Sequence, residues 1–305
     1  MPKAYVFTAH GGPEVESFAD LPRPAPGPGQ LLVAVHAAGV NPADWKRREG
    51  MMAPGGPPEQ FPVVFGREAA GVVEETGAGV AGFAPGDAVF GNPDTGSFAQ
   101  YTLLPVAIAA HKPAALSFTD AATLPVAAAT AYDGIRQLGL PPGATLLITG
   151  VGGGVGVAAA QIARHQGLAV IGTASAGKKA FVESLGVTHV ESGPGEDDRI
   201  RAAAPNGIDA IYDMVGGSAL ADVAVLLDDR SRLITAADRG TVARLGGEPV
   251  ARARSQAVLD AVARLVIDGI LNPFVTATFP LDRAADALRL VEEGHARGKI
   301  VIEVA

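Results

Sequence analysis

The feature that most constrains this chain is a glycine-rich turn, within residues 143–165, between an apolar run and an alanine-rich segment. The run 146–149 is typical of a buried strand, and residues 157–165 are typical of a helix. Glycines let a backbone approach a pyrophosphate closely, and a helix N-terminus offers N–H groups and partial positive charge to an anion. The order strand, glycine turn, helix therefore predicts a dinucleotide-binding turn rather than a flexible loop without a ligand.

The turn departs from the pattern G-x-G-x-x-G at its first position, where Val151 stands. A small apolar residue can still make this turn if its φ is negative. The cofactor-binding candidates in the turn are Gly152, Gly153, Gly154 and Val155.

The remainder of the chain changes character twice. Residues 1–115 contain short strand-like runs separated by turn signals, which favours a small barrel. From about residue 118 strands and helices alternate, which predicts a parallel, doubly wound sheet. The tail is mixed, with Asp282 as a predicted helix cap and a last strand at 299–304. The other predicted strands are 5–7, 30–35, 70–74, 88–90, 97–101, 168–171, 189–190, 208–212 and 232–235, and the other predicted helices begin near 118 or run over 178–185, 197–204, 220–227 and 257–267.

Composition excludes several classes of protein. With 305 residues, 48% of them hydrophobic, the chain is long enough for two domains. Its net charge of -8 and its lack of a basic run argue against nucleic-acid binding. The N-terminus lacks the pattern of a signal peptide, and no uninterrupted apolar stretch reaches membrane-spanning length. These features predict a cytoplasmic protein with no membrane partner.

A metal site is not predicted. The chain has no cysteine, so thiolate ligands and disulfides are excluded. Zinc needs three or four converging ligands. None of the six histidines forms an i, i+4 pair or stands in a carboxylate cluster; they are at positions 10, 36, 111, 165, 189 and 295.

The residues after the second strand of the alternating region favour NADPH. An NAD site usually has a carboxylate there, which binds the ribose 2′-hydroxyl. Residues 171–179 contain no acid; they offer hydroxyls at Thr173 and Ser175, then Lys178 and Lys179, which suit a 2′-phosphate. An ordinary solvated helix start is the alternative. The cofactor candidates here are Thr173, Ser175 and Lys179.

Several segments in this order and spacing resemble the medium-chain dehydrogenase/reductase superfamily, in its zinc-independent NADPH:quinone oxidoreductase branch. The matching segments are 38–44, 65–73, 85–89, 129–132, 152–156, 209–217 and 298–301. The resemblance implies an α/β fold in which a Rossmann doubly wound parallel sheet is inserted into a GroES-like β-barrel domain. The implied parts are a GroES-like domain at 1–118 and 268–305, and a Rossmann domain at 119–267. Zinc-dependent relatives carry cysteine where Asn41 stands and histidine where Arg67 stands, so the resemblance also implies a metal-free enzyme.

The resemblance carries roles onto individual positions. It implies that the nicotinamide is contacted by Thr130, Val215, Thr235 and Ala236. It also implies that the pyrophosphate is held by Gly153, Gly154 and Val155. Ser175 and Lys179 would bind the 2′-phosphate, although Gly193 occupies a place where relatives often have tyrosine for that group. Lys46 and Met52 likewise replace tyrosines that are frequent near the substrate, which leaves the usual quinone substrate open.

The implied reaction is hydride transfer from NADPH to a quinone or another activated carbonyl compound. Negative charge then builds on the acceptor's oxygen and needs a hydrogen-bond donor. The amide of Asn41 is the candidate catalytic donor, although Asn-Pro also forms turns. Trp45 and Met52 are the candidate substrate-pocket residues, with core packing as the alternative for Trp45. An enone reductase and a cofactor-binding protein without turnover are the other functions left open.

The resemblance further implies a homodimer. Relatives usually pair through the edge strand of the Rossmann sheet, and residues 247–253 are the candidate edge. Pro249 would then have to face away from the pairing side.

Overall fold

The computed structural model describes residues 1–51, 59–294 and 296–304 and divides the chain into two compact units. The strands are β1 (Lys3–Phe7), β2 (Glu16–Asp20), β3 (Gln30–Val40), β4 (Val63–Val64), β5 (Ala69–Thr76), β6 (Ala88–Gly91), β7 (Tyr101–Pro105), β8 (Ala109–His111), β9 (Thr145–Thr149), β10 (Ala169–Ala174), β11 (Thr188–Glu191), β12 (Ala210–Asp213), β13 (Leu233–Thr235), β14 (Glu248–Pro249), β15 (Val275–Pro280) and β16 (Lys299–Glu303). The α-helices are α1 (Pro42–Arg48), α2 (Phe118–Ala121), α3 (Ala129–Leu138), α4 (Gly154–His165), α5 (Lys179–Ser184), α6 (Glu196–Ala203), α7 (Gly217–Ala224), α8 (Arg239–Arg244), α9 (Gln256–Ile267) and α10 (Ala284–Glu292), with a π-helical turn at Leu124–Ala128 before α3.

The first unit is a β-rich domain built from three segments, Met1–Val126, Arg254–Ile267 and Val275–Ala305. Its larger sheet has the order β15-β16-β3-β5-β6-β8, with β7 also paired to β3. The smaller sheet has the order β2-β1-β4. Because β16 pairs antiparallel with β3, the last strand completes a sheet that begins near residue 30. This is the GroES-like barrel unit that the family resemblance implies.

Helix α1 is held to this unit by a buried ion-pair cluster. Arg48, the last residue of α1, is fully buried. Its guanidinium pairs with Glu16 of β2 and, at 2.8 Å, with Glu292 of α10. The same guanidinium also pairs with Glu49 at 3.2 Å. A buried guanidinium among three carboxylates fixes the orientation of α1, because moving it away would leave buried charges uncompensated.

The second unit, Ala127–Ala253 with Asp268–Phe274, contains a six-stranded parallel sheet. Its strand order is β11-β10-β9-β12-β13-β14, so the order reverses between β9 and β12. In open parallel sheets, ligands bind outside the carboxyl ends of the strands at such a reversal. The glycine turn directly follows β9. The predicted Rossmann doubly wound sheet is therefore confirmed.

Three local features differ from the sequence predictions. The strand predicted at 97–101 begins only at Tyr101, because the N–H groups of Ser97 and Phe98 both donate to the carbonyl of Phe65. Asp282 does not cap α10: it lies in a 3₁₀ turn, and Arg283 is the N-cap. Helices α1, α3 and α8 were not predicted.

The two units meet at 126/127, 253/254, 267/268 and 274/275, so α9 groups with the first unit and residues 268–274 with the second. The predicted domain boundaries stay predictions. Within the described residues, no helix combines the length and apolar character that crossing a membrane requires.

Candidate cofactor and active site

The glycine turn connects β9 to α4 through tight backbone contacts. Gly150 has φ +65°, a conformation that L side chains rarely adopt. Gly156, in the first turn of α4, packs so closely that an added Cβ would lie 2.6 Å from Val151 Cα. Val151 itself is fully buried, and it is not among the described non-glycine residues with positive φ. The departure at Val151 is therefore accommodated with negative φ, as expected.

The N-terminus of α4 suits an anion. Gly153 is the N-cap residue, and no side chain of the described residues caps the helix there. The first N–H groups of a helix have no partner within the helix, and the helix dipole places partial positive charge beside them. Gly153, Gly154 and Val155 are half-buried at this point. The turn thus offers N–H donors and space for a pyrophosphate, so the residues present fit a dinucleotide.

A buried carboxylate organises the edge of the sheet beside the turn. Asp213, at the end of β12, is fully buried. Its Oδ1 accepts hydrogen bonds from Thr149 Oγ1 at 2.7 Å and from the N–H groups of Val215 and Gly216. Its Oδ2 accepts from Thr235 Oγ1 at 2.5 Å. Asp213 thereby links the carboxyl ends of β9, β12 and β13 and fixes the loop that follows β12.

Three of the predicted nicotinamide-side residues lie around this network. Val215 lies two residues after Asp213 and its side chain is 52% exposed, although the Asp213 carboxylate accepts the N–H groups of both Val215 and Gly216. Ala236 is exposed, and its N–H donates to the carbonyl of Asp213 at 2.8 Å. The hydroxyl of Thr235 is engaged with Asp213. Their contact with a nicotinamide stays a prediction.

Thr130 lies in the first turn of α3 and is buried. Its carbonyl oxygen accepts a 2.7 Å hydrogen bond from the hydroxyl of Tyr212 on β12. Burial raises the pKa of Tyr212. The neutral phenol therefore acts as a donor that fixes α3 to the sheet, and the role predicted for the Thr130 side chain toward the cofactor remains a prediction.

The two lysines that follow β10 differ in exposure. Lys179 is exposed, and its ammonium lies 3.9 Å from the Glu183 carboxylate one turn along α5. Lys178 is half-buried, and its aliphatic chain crosses the glycine turn: an added Cβ on Gly152 would lie 2.7 Å from Lys178 Cδ. Ser175 is exposed, whereas Thr173 is buried within β10. The structure thus brings Lys178, more than Lys179, to the turn.

In the first unit, Asn41 belongs to a buried polar cluster. Its Nδ2 donates to Glu68 Oε1 at 2.8 Å and to the carbonyl of Gly39 at 3.4 Å. The Lys299 ammonium donates to Asn41 Oδ1, Glu68 Oε1 and the carbonyl of Val40, at 2.8, 2.7 and 3.0 Å. The partners fix the amide orientation, because an ammonium must donate and a carboxylate must accept. Both amide hydrogens of Asn41 are therefore bound within the protein, and its role as the catalytic donor stays a prediction.

Asp44 adds a second buried carboxyl beside this cluster. Its Oδ2 accepts the N–H of Asn41 at 2.8 Å, whereas its Oδ1 has no hydrogen-bond partner among the described residues. Burial raises the pKa of Asp44 to about 6, against the lowering effects of the Asn41 N–H and the Arg67 guanidinium. Asp44 thus titrates near neutral pH, unlike an ordinary aspartate.

Of the two predicted substrate-pocket residues, the structure describes only Trp45. Trp45, on α1, is partly buried and packs against the hydrophobic core of the first unit, with its indole N–H buried and unbonded among the described residues. This placement agrees with the packing alternative for Trp45. Met52 lies outside the described residues.

The cluster does not fit a metal ion. Asn41 Oδ1 already accepts a hydrogen bond from the Lys299 ammonium, which would repel a cation placed there. The described part of the chain contains no group of three or more histidine, aspartate or glutamate side chains that could hold a metal.

Comparisons with known proteins agree with this architecture. The family model described as "Alcohol dehydrogenase GroES-like domain" matches residues 27–114, and the model described as "Zinc-binding dehydrogenase" matches residues 185–302. Together with the relatives below, these matches show that the chain belongs to the medium-chain dehydrogenase/reductase superfamily, in its quinone oxidoreductase branch. The family consists of pyridine-nucleotide-dependent oxidoreductases.

Three relatives illustrate the range of activities in this branch. The chain is 32% identical to the 2-methylene-furan-3-one reductase of Solanum lycopersicum, covering 98% of this chain and 78% of the relative. It is also 32% identical to the NADPH-dependent alkenal/one oxidoreductase, chloroplastic, of Arabidopsis thaliana, covering 98% and 79%. Among solved structures, the quinone oxidoreductase from Coxiella burnetii matches with a TM-score of 0.89 and 29% identity, over 100% of this chain and 99% of that one.

Sequence reasoning missed the two buried networks, those of Asp213 and of Glu68 with Lys299. The segments that contain these residues carry the family resemblance. The sequence does not show that the side chains pair, since Glu68 and Lys299 are 231 positions apart in the chain.

Proposed function

We propose that this protein is an NADPH-dependent, metal-free reductase of conjugated carbonyl compounds, with enones and quinones as its acceptors. The observation that carries the cofactor assignment is the segment after β10, where Ser175, Lys178 and Lys179 stand and no carboxylate follows the strand. The acceptor class is supported by the activities for which relatives are named, which include an alkenal/one oxidoreductase and a quinone oxidoreductase.

Bound NADPH would supply a hydride, and the protein would supply binding and orientation. The N–H groups at Gly154 and Val155 would hold the pyrophosphate, with the partial positive charge of α4 behind them. Lys178 or Lys179, with Ser175, would hold the 2′-phosphate. Asp213 would keep Val215 in the position from which its exposed side chain can contact the nicotinamide.

The hydride would add to the β-carbon of an enone, or to the quinone, and a proton would then complete the reduction. The acceptor's oxygen needs a hydrogen-bond donor as charge develops on it. Asn41 remains our candidate, although it must exchange its bond to Glu68 for one to the acceptor. The Asn41→Ala variant tests this role. If the variant protein is less stable but its kcat/KM is unchanged for every accepted substrate, Asn41 has only a structural role.

The deciding experiment is NADPH oxidation against a panel of enones, quinones and aldehydes, repeated with NADH. We expect turnover of enones and quinones with a lower KM for NADPH than for NADH. Preference for NADH would contradict the cofactor assignment. Tight NADPH binding without turnover of any acceptor would instead support a cofactor-binding protein without catalysis.

A further inference from the structure

A short segment of the second unit, residues 271–274, contacts both α4 and α5 and is called the strap below. Leu271 is buried, and the backbone of Asn272 is bound by one side chain of α4. The N–H of Asn272 donates to Gln161 Oε1, and Gln161 Nε2 donates to the carbonyl of Asn272, both at 2.9 Å. Gln161 Nε2 also donates to the carbonyl of Val157, one turn earlier, at 3.1 Å. These bonds join the strap to α4.

Phe274 ends the strap in a strained backbone conformation. Its φ of +50° lies in the left-handed region, where a bulky residue is an outlier. Its N–H donates to Asn272 Oδ1 at 2.8 Å, which closes a turn around Pro273. Strained conformations persist where the surrounding contacts over-determine them, and they are common at functional sites. Here the conformation places the Phe274 ring against α5.

The rings of Phe274 and Phe181 form the contact between the strap and α5. Their centroids are 5.4 Å apart and their planes meet at 83°, the edge-to-face arrangement that aromatic pairs favour. Both rings are half-buried. Phe181 lies in the first turn of α5, three residues after Lys178. The strap therefore holds α5 at the end where the proposed 2′-phosphate ligands stand.

The strap thus joins two helices that would bind different phosphates of one cofactor. The N-terminus of α4 would hold the pyrophosphate, and the residues that begin α5 would hold the 2′-phosphate. The opposite ends of the same helices have a link of their own. There the guanidinium of Arg164 on α4 donates to the carbonyl of Leu185, the C-cap of α5, at 2.7 Å. The strap is a second link, close to the start of α5.

We propose that Gln161 and Phe274 are positioning residues for cofactor selectivity. Through the strap they hold the start of α5 at the distance from α4 at which Lys178 reaches a 2′-phosphate while the pyrophosphate is bound. The inference rests on the proposed NADPH assignment. NAD lacks the 2′-phosphate and needs only the contacts at α4. Loosening the strap therefore lowers the discrimination between the two cofactors, although it removes none of the groups assigned to bind them.

The test is isothermal titration calorimetry with NADP⁺ and with NAD⁺, which measures binding without turnover. Phe274→Asn removes the ring and supplies a residue that tolerates left-handed φ. Gln161→Leu removes both hydrogen bonds to the strap. In each variant we expect the ratio of the NAD⁺ to the NADP⁺ dissociation constant to fall roughly threefold to tenfold, part of the contribution of one hydrogen bond to a charged group. The dissociation constant of NAD⁺ should stay nearly unchanged.

Two control variants separate positioning from a general loosening of the unit. Phe274→Tyr keeps the aromatic ring and should retain the wild-type ratio of dissociation constants. Arg164→Ala cuts the link between α4 and α5 at the ends opposite to the proposed phosphate sites. It should lower the free energy of unfolding in urea titrations and leave the ratio unchanged.

The outcomes distinguish this inference from the cofactor assignment. If the wild type prefers NADP⁺ and both Phe274→Asn and Gln161→Leu keep that preference, the positioning role is wrong and the cofactor assignment stands. An equal fall of the ratio in Arg164→Ala would also overturn the positioning role, because any loosening of the helices would then suffice. A wild type that binds NAD⁺ as tightly as NADP⁺ would contradict the cofactor assignment, and the positioning role with it.

Discussion

The ammonium of Lys299 lies 2.7 Å from the Glu68 carboxylate, and both side chains are almost completely buried. Lys299 belongs to β16, and Glu68 directly precedes β5, so this pair joins distant parts of the barrel unit. Removing one partner of a buried ion pair leaves an uncompensated charge, which costs about 3–5 kcal/mol.

We therefore expect Lys299→Met to lower the free energy of unfolding by about 3–5 kcal/mol in urea titrations. The double variant Glu68→Gln with Lys299→Met should lose less than Lys299→Met alone, because no charge is then left buried. Solvent-exposed ion pairs contribute only about 0–1 kcal/mol. If Lys299→Met lowered the free energy of unfolding by less than about 1 kcal/mol, that result would contradict the buried cluster.

The two lysines after β10 predict different effects on cofactor choice. Lys178→Ala should raise the KM for NADPH on the order of tenfold or more, the loss of a charged hydrogen bond, and leave the KM for NADH nearly unchanged. Lys179→Ala should have a smaller effect, because Lys179 is exposed and near Glu183. Arg201→Ala, an exposed cation on α6, is the charge-matched control. If no lysine substitution changes the NADPH/NADH ratio, the 2′-phosphate assignment is wrong.

Asp213→Asn tests the network at the strand ends. An amide cannot accept all the hydrogen bonds that the carboxylate accepts from Thr149, Thr235 and the following loop. We expect the dissociation constants of NADPH and NADH to rise by similar factors, roughly tenfold, while their ratio stays constant. Isothermal calorimetry with both nucleotides would measure this. A selective effect on NADPH alone would indicate a contact with the 2′-phosphate instead.

Asp44 predicts a pH dependence of stability. Its pKa is about 6 in the folded protein, against an ordinary value of 3.8, so the folded state binds more protons between these values. The contribution of Asp44 to the free energy of unfolding is fully present below about pH 4 and is lost as the pH rises through about 6. Relative to Asp44→Asn, the wild type should lose on the order of 2–3 kcal/mol between pH 4 and pH 7. Parallel pH profiles of unfolding for the two proteins would contradict the raised pKa.

The fold was largely predictable because its signals are local. The run before Gly150, the glycines after it and the alternation that follows identify the parallel sheet from sequence alone. The missed helix α1 starts at Pro42 and is too short for a clear apolar period, so its signals are the turn-forming Asn41 and the acid at Asp44.

The site was predictable only in part, because its decisive contacts join residues far apart in sequence. The glycine turn lies where expected, and Ser175 follows β10 as predicted. No periodicity could show that Lys178 crosses Gly152 while Lys179 lies beside Glu183, since this depends on the local 3₁₀ turn at Ala176–Lys178. Likewise, nothing in the segment around Asn41 reveals that its amide meets a lysine near residue 300.

The pairing of β16 with β3 has a consequence for the order in which the chain can fold during synthesis. Ile300 lies opposite Val40, so this part of the barrel cannot close until residue 300 has been synthesised. The parallel sheet between them uses contacts within residues 127–274 and can be complete earlier. Until β16 arrives, residues 37–40 of β3 lack their partner strand β16, and Glu68 lacks its lysine. The nascent barrel therefore carries an incomplete strand edge for longer than the parallel sheet does, and unpaired strand edges are prone to misassembly.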